Sequence, residues 1–132
     1  MGLKVPYLFD SYALIAYFVE GRSSFRKYFE NNDEKFTSIL SLMETYSRIF
    51  HGINPSKAED TLEAIITYFT VLPLNDIEVI REAGQFRSEM LKKKKALSYT
   101  ACINYVLSKK QGHILLTGDE DFRNLNNIEF VK

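Results

Sequence analysis

Four carboxylates occupy positions from which an α/β chain can bring them together. Asp10 ends the apolar run Val5-Pro6-Tyr7-Leu8-Phe9. Glu44 lies in Ser41-Leu42-Met43-Glu44, which reads as the start of a helix. Asp119 and Asp121 follow a second apolar run, Ile114-Leu115-Leu116-Thr117. Oxygen donors at strand ends and helix starts suit a hard divalent cation and phosphoryl chemistry. Converging carboxylates also raise one another's pKa, and a Mg²⁺ or Mn²⁺ ion relieves that repulsion and can activate water against a phosphodiester. Each acid has a local alternative. Ser41-x-x-Glu44 matches a capping box, Asp10 before Ser11 can cap a helix, and Gly118-Asp119-Glu120-Asp121 can be an acidic turn.

The elements that would position these residues alternate in type. Residues 4–9 read as a buried strand, 11–20 and 23–32 as helices separated by Gly21, and 35–38 as a second short strand. Residues 41–51 read as a helix ending at His51-Gly52. Asn54-Pro55 opens another helix, since Asn caps free N–H groups and Pro tolerates the first turn. Residues 71–74 look extended. From Asp76, the residues Val79, Ala83, Phe86 and Met90 recur at helical spacing. Ser98 caps a helix over 99–110, followed by strands at 113–117 and 128–131. Alternating strands and helices imply a parallel sheet covered on both faces, with ligands bound outside the carboxyl ends of the strands. Asp10 and Asp119 both take that position.

Composition narrows the class. At 132 residues the chain is expected to be one domain, 1–132, and its 45% hydrophobic content can supply a core. Seventeen basic residues balance seventeen acidic ones, so no global field points to nucleic acid or membrane and any basic patch must be local. The single cysteine, Cys102, excludes an internal disulfide and a Cys-based zinc site and fits a reducing, cytoplasmic setting. No signal peptide and no apolar run of membrane-spanning length is recognised.

Several segments together resemble a known family. Leu8-Phe9-Asp10-Ser11-Tyr12-Ala13-Leu14-Ile15, Ser41-Leu42-Met43-Glu44, Leu97-Ser98-Tyr99 and Leu116-Thr117-Gly118-Asp119-Glu120-Asp121-Phe122 look like a PIN-domain nuclease, in order and over essentially the whole chain. The type that fits is the VapC-like toxin of prokaryotic toxin–antitoxin pairs. The resemblance implies a three-layer α/β/α sandwich around a central parallel sheet, Mg²⁺- or Mn²⁺-dependent endoribonuclease activity on an RNA substrate, and neutralisation by a cognate antitoxin. It further implies that Asp10, Glu44 and Asp119 are catalytic, metal-binding acids, with Asp121 a secondary metal ligand. Ser11 and Thr117 match hydroxyl residues that flank the site.

One position departs from the pattern. The family shows Leu-Ser-x-x-Asp at its fourth conserved region, whereas this chain reads Leu97-Ser98-Tyr99-Thr100-Ala101. Alanine at 101 supplies neither charge nor oxygen. Two readings stand: an introduced alanine, a common device for expressing a toxic nuclease and favoured by the intact motif around it, or a natural change that leaves a degenerate member. The alternative function is therefore a catalytically inactive PIN-fold module that binds an antitoxin or RNA.

The remaining candidates have plain explanations. Lys92 to Lys95 fit a solvated helix end favoured by the dipole, with RNA phosphate binding as the alternative. His51 and His113 suit a helix end and a strand start rather than ligation. Cys102 reads as a small packed thiol. Exposed aromatics among Tyr17, Phe18, Phe25, Tyr28 and Phe29 would form a groove for a partner helix, and the aromatic content favours a homodimer. A receiver-like regulatory domain also places acids at strand ends, but no Lys follows a C-terminal strand in its usual pattern.

Overall fold

The computed structural model describes residues 4–132. Its elements, in order, are β1 (Tyr7–Phe9), α1 (Ser11–Phe18), a 3-10 turn (Ser23–Phe25) running into α2 (Arg26–Phe29), β2 (Phe36–Ser38), α3 (Ile39–Gly52) and α4 (Pro55–Tyr68). Then come β3 (Thr70–Leu72), α5 (Ile77–Lys92), α6 (Tyr99–Gln111), β4 (Ile114–Thr117), a second 3-10 turn (Glu120–Phe122) and β5 (Ile128–Phe130). Every strand pairing is parallel, and the sheet order is β3-β2-β1-β4-β5. The chain thus lays strands outward from β1 in one direction, then returns to place β4 on its other side. That reversal puts the topological switch point between β1 and β4, where open α/β sheets bind their ligands.

Both faces of the sheet are covered, as the near-continuous apolar strands require. Strand alternation divides neighbouring residues between two cores. Leu8 and Leu115 pack with Val79, Met90, Tyr105 and Leu107 of α5 and α6. Phe9 and Leu116 pack on the opposite face with Ala13, Leu14, Phe25, Phe29, Leu42 and Ile65. The result is the expected α/β/α sandwich.

Element boundaries differ from the sequence pattern where local chemistry intervenes. The first strand begins at Tyr7 rather than residue 4, because Pro6 has no N–H to donate to a ladder, although its carbonyl accepts from Ile114 at 3.0 Å. The helix expected over 23–32 is a 3-10 turn and one α turn, ending before Glu30. Asn31 stops it: its side-chain amide donates to the Lys27 and Tyr28 carbonyls, satisfying the acceptors a further turn would have used. The aromatic groove expected on these helices is mostly core. Phe25, Tyr28 and Phe29 are buried, and Phe9 meets Phe29 and Phe69 edge-on at 4.8 and 5.0 Å. Only Tyr17 and Phe18 remain half-buried, and they line a pocket of about 490 Å³ with Phe29, Tyr68 and Phe69. Among the described residues no helix is long and apolar enough to cross a membrane.

Candidate active site at the switch point

A cleft of about 500 Å³ opens at the carboxyl edge of β1 and β4. Asp10, Ser11, Glu44, Ala101, Asp119 and Asp121 all line it. The chain brings them there from four separate segments.

Asp10 follows β1 and caps α1, its Oδ1 accepting the Ala13 N–H at 3.0 Å. It is therefore both a cap and a cleft residue, so the two readings of this acid are not exclusive. Asp10 is only 8% exposed, and its pKa is raised from 3.8 to about 7. Burial is the main cause, and the charges of Asp119 and Glu44 push the same way. Hydrogen bonds from Thr117 and the Ala13 N–H oppose the shift. Thr117 itself is fully buried at the end of β4, where its Oγ1 also accepts the Asp119 N–H at 3.1 Å.

Asp119 opens the second 3-10 turn by accepting the Asp121 N–H at 3.0 Å. The sharp approach depends on Gly118. A β-carbon there would collide with the Tyr12 ring and with the Val131 carbonyl, which belongs to the backbone. Gly118→Ala should accordingly destabilise the fold by about 1–3 kcal/mol, as overpacking against an unyielding neighbour does. Urea denaturation checks it, and an unchanged midpoint would contradict this packing.

Glu44 corrects the sequence reading in one respect. The helix does not start at Ser41. Ser38 is its N-cap, with its Oγ accepting the Ser41 N–H at 3.1 Å, so Glu44 sits more than a turn inside α3 and no capping box forms. Its side chain instead accepts a hydrogen bond from the Ser11 hydroxyl and lies 3.9 Å from Arg48. The capping explanation of this acid is thereby removed. Ala101 stands where expected, on the first turn of α6, with its N–H bound to the Ser98 Oγ at 3.0 Å. Its methyl group faces the cleft where a carboxylate would add a fourth acid.

Three further cleft residues escaped the sequence reading. Asn104 is buried and ties α6 to α3: Ser38 donates to its Oδ1 at 2.6 Å, and its Nδ2 donates to the Ser41 Oγ at 2.8 Å. Its position one turn after Ala101, on the same helix face, was the available signal. Arg48 pairs with Glu44 at i, i+4, also a legible spacing. Lys132 reaches the cleft from the chain's last position, 3.3 Å from Glu120, and nothing local announced it. The other titratable candidates lie elsewhere. His113 is buried beside the Phe36 ring, 4.3 Å between centres, and burial lowers its pKa. Burial pushes the Cys102 thiol up, as for a packed rather than reactive group.

The carboxylate donors are all oxygens, which suits a hard cation, and the buried Asp10 carboxyl faces the charges of two further acids. As the side chains stand, no three of His, Cys, Asp and Glu among the described residues approach closely enough to enclose an ion.

The PIN domain family model matches residues 7–128. The chain belongs to the PIN domain family. No curated protein sequence matches it. Among solved structures, its PIN fold is similar to VapBC2 from Rickettsia felis bound to a promoter DNA fragment, at 13% identity and a TM-score of 0.79, covering 96% of this chain and 98% of that one. The DNA-bound VapBC of Salmonella typhimurium is similar at 18% identity and TM-score 0.79, over 96% and 97% of the two chains. Mycobacterium tuberculosis VapC20, a toxin that cleaves the sarcin-ricin loop, is similar at 15% identity and TM-score 0.78, over 96% and 99%. At these identities the likeness establishes the fold.

Proposed function

We propose that this PIN-domain chain is built as a Mg²⁺- or Mn²⁺-dependent endoribonuclease, the toxin of a VapC-type toxin–antitoxin pair. The observation that carries the reading is the meeting of Asp10, Glu44 and Asp119 in one cleft at the switch point, with Ala101 on its wall. A divalent cation held there supplies positive charge to the scissile phosphate. Asp10, Glu44 and Asp119 would hold it, with Asp121 as a secondary ligand. The protein's own groups set the geometry. Thr117 fixes Asp10 and the Asp119 backbone together, Ser11 orients Glu44, and Asn104 holds α6 against the start of α3. The methyl at 101 removes one acid from that set and leaves the chain depleted in activity.

The metal test is direct. Calorimetry should show weak Mn²⁺ binding to this chain and tighter binding to Ala101→Asp, because an added carboxylate raises the charge and ligand count of a hard-cation site. Equal affinity in both would remove position 101 from the site.

The toxin reading also assigns a cognate antitoxin, homodimer formation and a cytoplasmic location. The solved neighbours include VapBC assemblies, and a toxin–antitoxin complex from Klebsiella pneumoniae is also similar. On this chain the pocket beside Tyr17, Phe18 and Tyr68 is the apolar groove available to an antitoxin helix. An inactive binding module remains the second reading, favoured by Ala101 alone. RNA cleavage by Ala101→Asp but not by the parent chain would support the machinery and assign the deficiency to that residue.

A further inference from the structure

The cleft-lining loop between α5 and α6 is flanked along the chain by basic and aromatic residues. Ala96, Leu97 and Ser98 line the cleft, and the chain enters them from four consecutive lysines, Lys92 to Lys95. Lys92, Lys93 and Lys94 are exposed, and none of the four makes an ion pair among the described residues. In a chain of balanced charge this is a local positive patch. Lys94 has a φ of 61°, the left-handed conformation usually given to glycine. The Lys94 N–H reaches the Leu91 carbonyl and the Lys95 N–H reaches the Met90 carbonyl, both at 2.9 Å, which closes the helix end in a Schellman motif. A lysine thus stands where a glycine would fit with less strain, and the helix dipole alone does not require charge at that residue.

Tyr99 stands on the far side of the same loop. It is 72% exposed, between Ser98 and Thr100, which both line the cleft. The Arg87 guanidinium lies 4.3 Å from the centre of its ring, held by a 2.9 Å hydrogen bond from Nε to the Leu97 carbonyl. Both terminal nitrogens of Arg87 make no other hydrogen bond among the described residues. An exposed ring braced by a fixed guanidinium is a stacking platform with a phosphate-binding group attached. Positive charge beside the cleft also offsets the repulsion between a phosphate backbone and Asp10, Glu44 and Asp119.

We propose that these flanking residues form a rim that binds single-stranded RNA, with an unpaired base stacked on Tyr99 and the backbone following Arg87 and Lys92 to Lys95 into the cleft. The proposal deepens the nuclease reading and rests on it for the identity of the bound polymer.

Fluorescence anisotropy of the full chain with a labelled oligouridylate, in EDTA so that binding is read without cleavage, tests it. Tyr99→Ala should weaken binding about tenfold, whereas Tyr99→Phe, which keeps the stacking face, should not. Each lysine of the run changed to glutamine should lower the slope of log affinity against log salt by about 0.7. Lys94→Gly should bind less tightly while unfolding at no lower temperature, a combination that a purely stabilising lysine would not produce. Unchanged binding in these variants, or binding of an RNA duplex or displacement by polyglutamate as effective as the single strand, overturns the proposal. Cleavage is scored separately on Ala101→Asp with Mn²⁺. RNA held at the rim but never cut removes the nuclease reading and leaves the rim. RNA cut normally, with binding untouched by the rim variants, removes the rim and leaves the nuclease reading.

Discussion

Replacing Ala101 with aspartate should raise Mn²⁺-dependent RNA cleavage by about 10²–10³-fold, the scale on which one positioned electrostatic group acts in a transition state. The expectation rests on geometry. Position 101 lies on the first turn of α6, where the Ser98 cap fixes the backbone, and its side chain lines the cleft that holds Asp10, Glu44 and Asp119. An aspartate there also gains from the dipole of α6, by about 0.3–1 kcal/mol, so the helix start does not resist it. Attack on a phosphodiester needs charge held in fixed geometry, and a fourth carboxylate adds both charge and constraint. Asp10→Asn in the Ala101→Asp background should abolish the gain, since it preserves shape while removing charge. Gel-resolved cleavage of a structured RNA, with EDTA as control, reads both changes. A parent chain that already cleaves as fast as Ala101→Asp would show that Asp119 and Asp121 supply what is here assigned to a missing acid.

Asp10→Asn in the parent chain should stabilise the metal-free fold at pH 8 by about 1–4 kcal/mol, even as it removes a site acid. Folding raises the Asp10 pKa from 3.8 to about 7, chiefly through burial. Between those values the folded chain retains a proton that the unfolded chain releases, so raising the pH through that window favours unfolding. Asparagine cannot ionise, and its side-chain oxygen can still accept the Ala13 N–H that starts α1. The gain over the parent should be full above pH 7 and should shrink toward nothing near pH 4. Urea denaturation of both proteins in EDTA, at pH 8 and at pH 4.5, measures it. Equal stability at pH 8 would mean that the carboxylate is solvated or countered in the folded chain. Adding Mn²⁺ should narrow the difference, because a bound cation stabilises the ionised parent and not the variant. A site that destabilises its own scaffold in this way is the common signature of groups kept for function.

What the sequence determined by itself was local. An apolar run ending in Asp-Ser, and another ending in Thr-Gly-Asp, mark strands whose next residue must turn. Asp10 and Asp119 became caps at those ends for the same short-range reason, and Ser98 placed residue 101 on a first helical turn. Strands alternating with helices along the chain already implied a parallel sheet covered on both faces. The resemblance to PIN nucleases added the link among segments too far apart for spacing to connect.

Tertiary structure decided the rest. That β1 and β4 are neighbours is a matter of long-range pairing, and it is this pairing that brings Asp10 and Asp119 to one cleft. Helix α3 begins just after Ser38, whose Oγ caps the Ser41 N–H, and only the folded chain brings Asn104 of α6, 66 positions further along, to accept from that same hydroxyl. With that start Glu44 lost its role as a cap and faced Ser11 instead. The aromatics of α1 and α2 looked like an exposed groove, but Phe9 and Phe69 arrive from elsewhere to bury most of them. Caps and turns depend on a few neighbouring residues and can be read in order. Which face of an element is covered, and by what, depends on layers that meet only after the chain has folded.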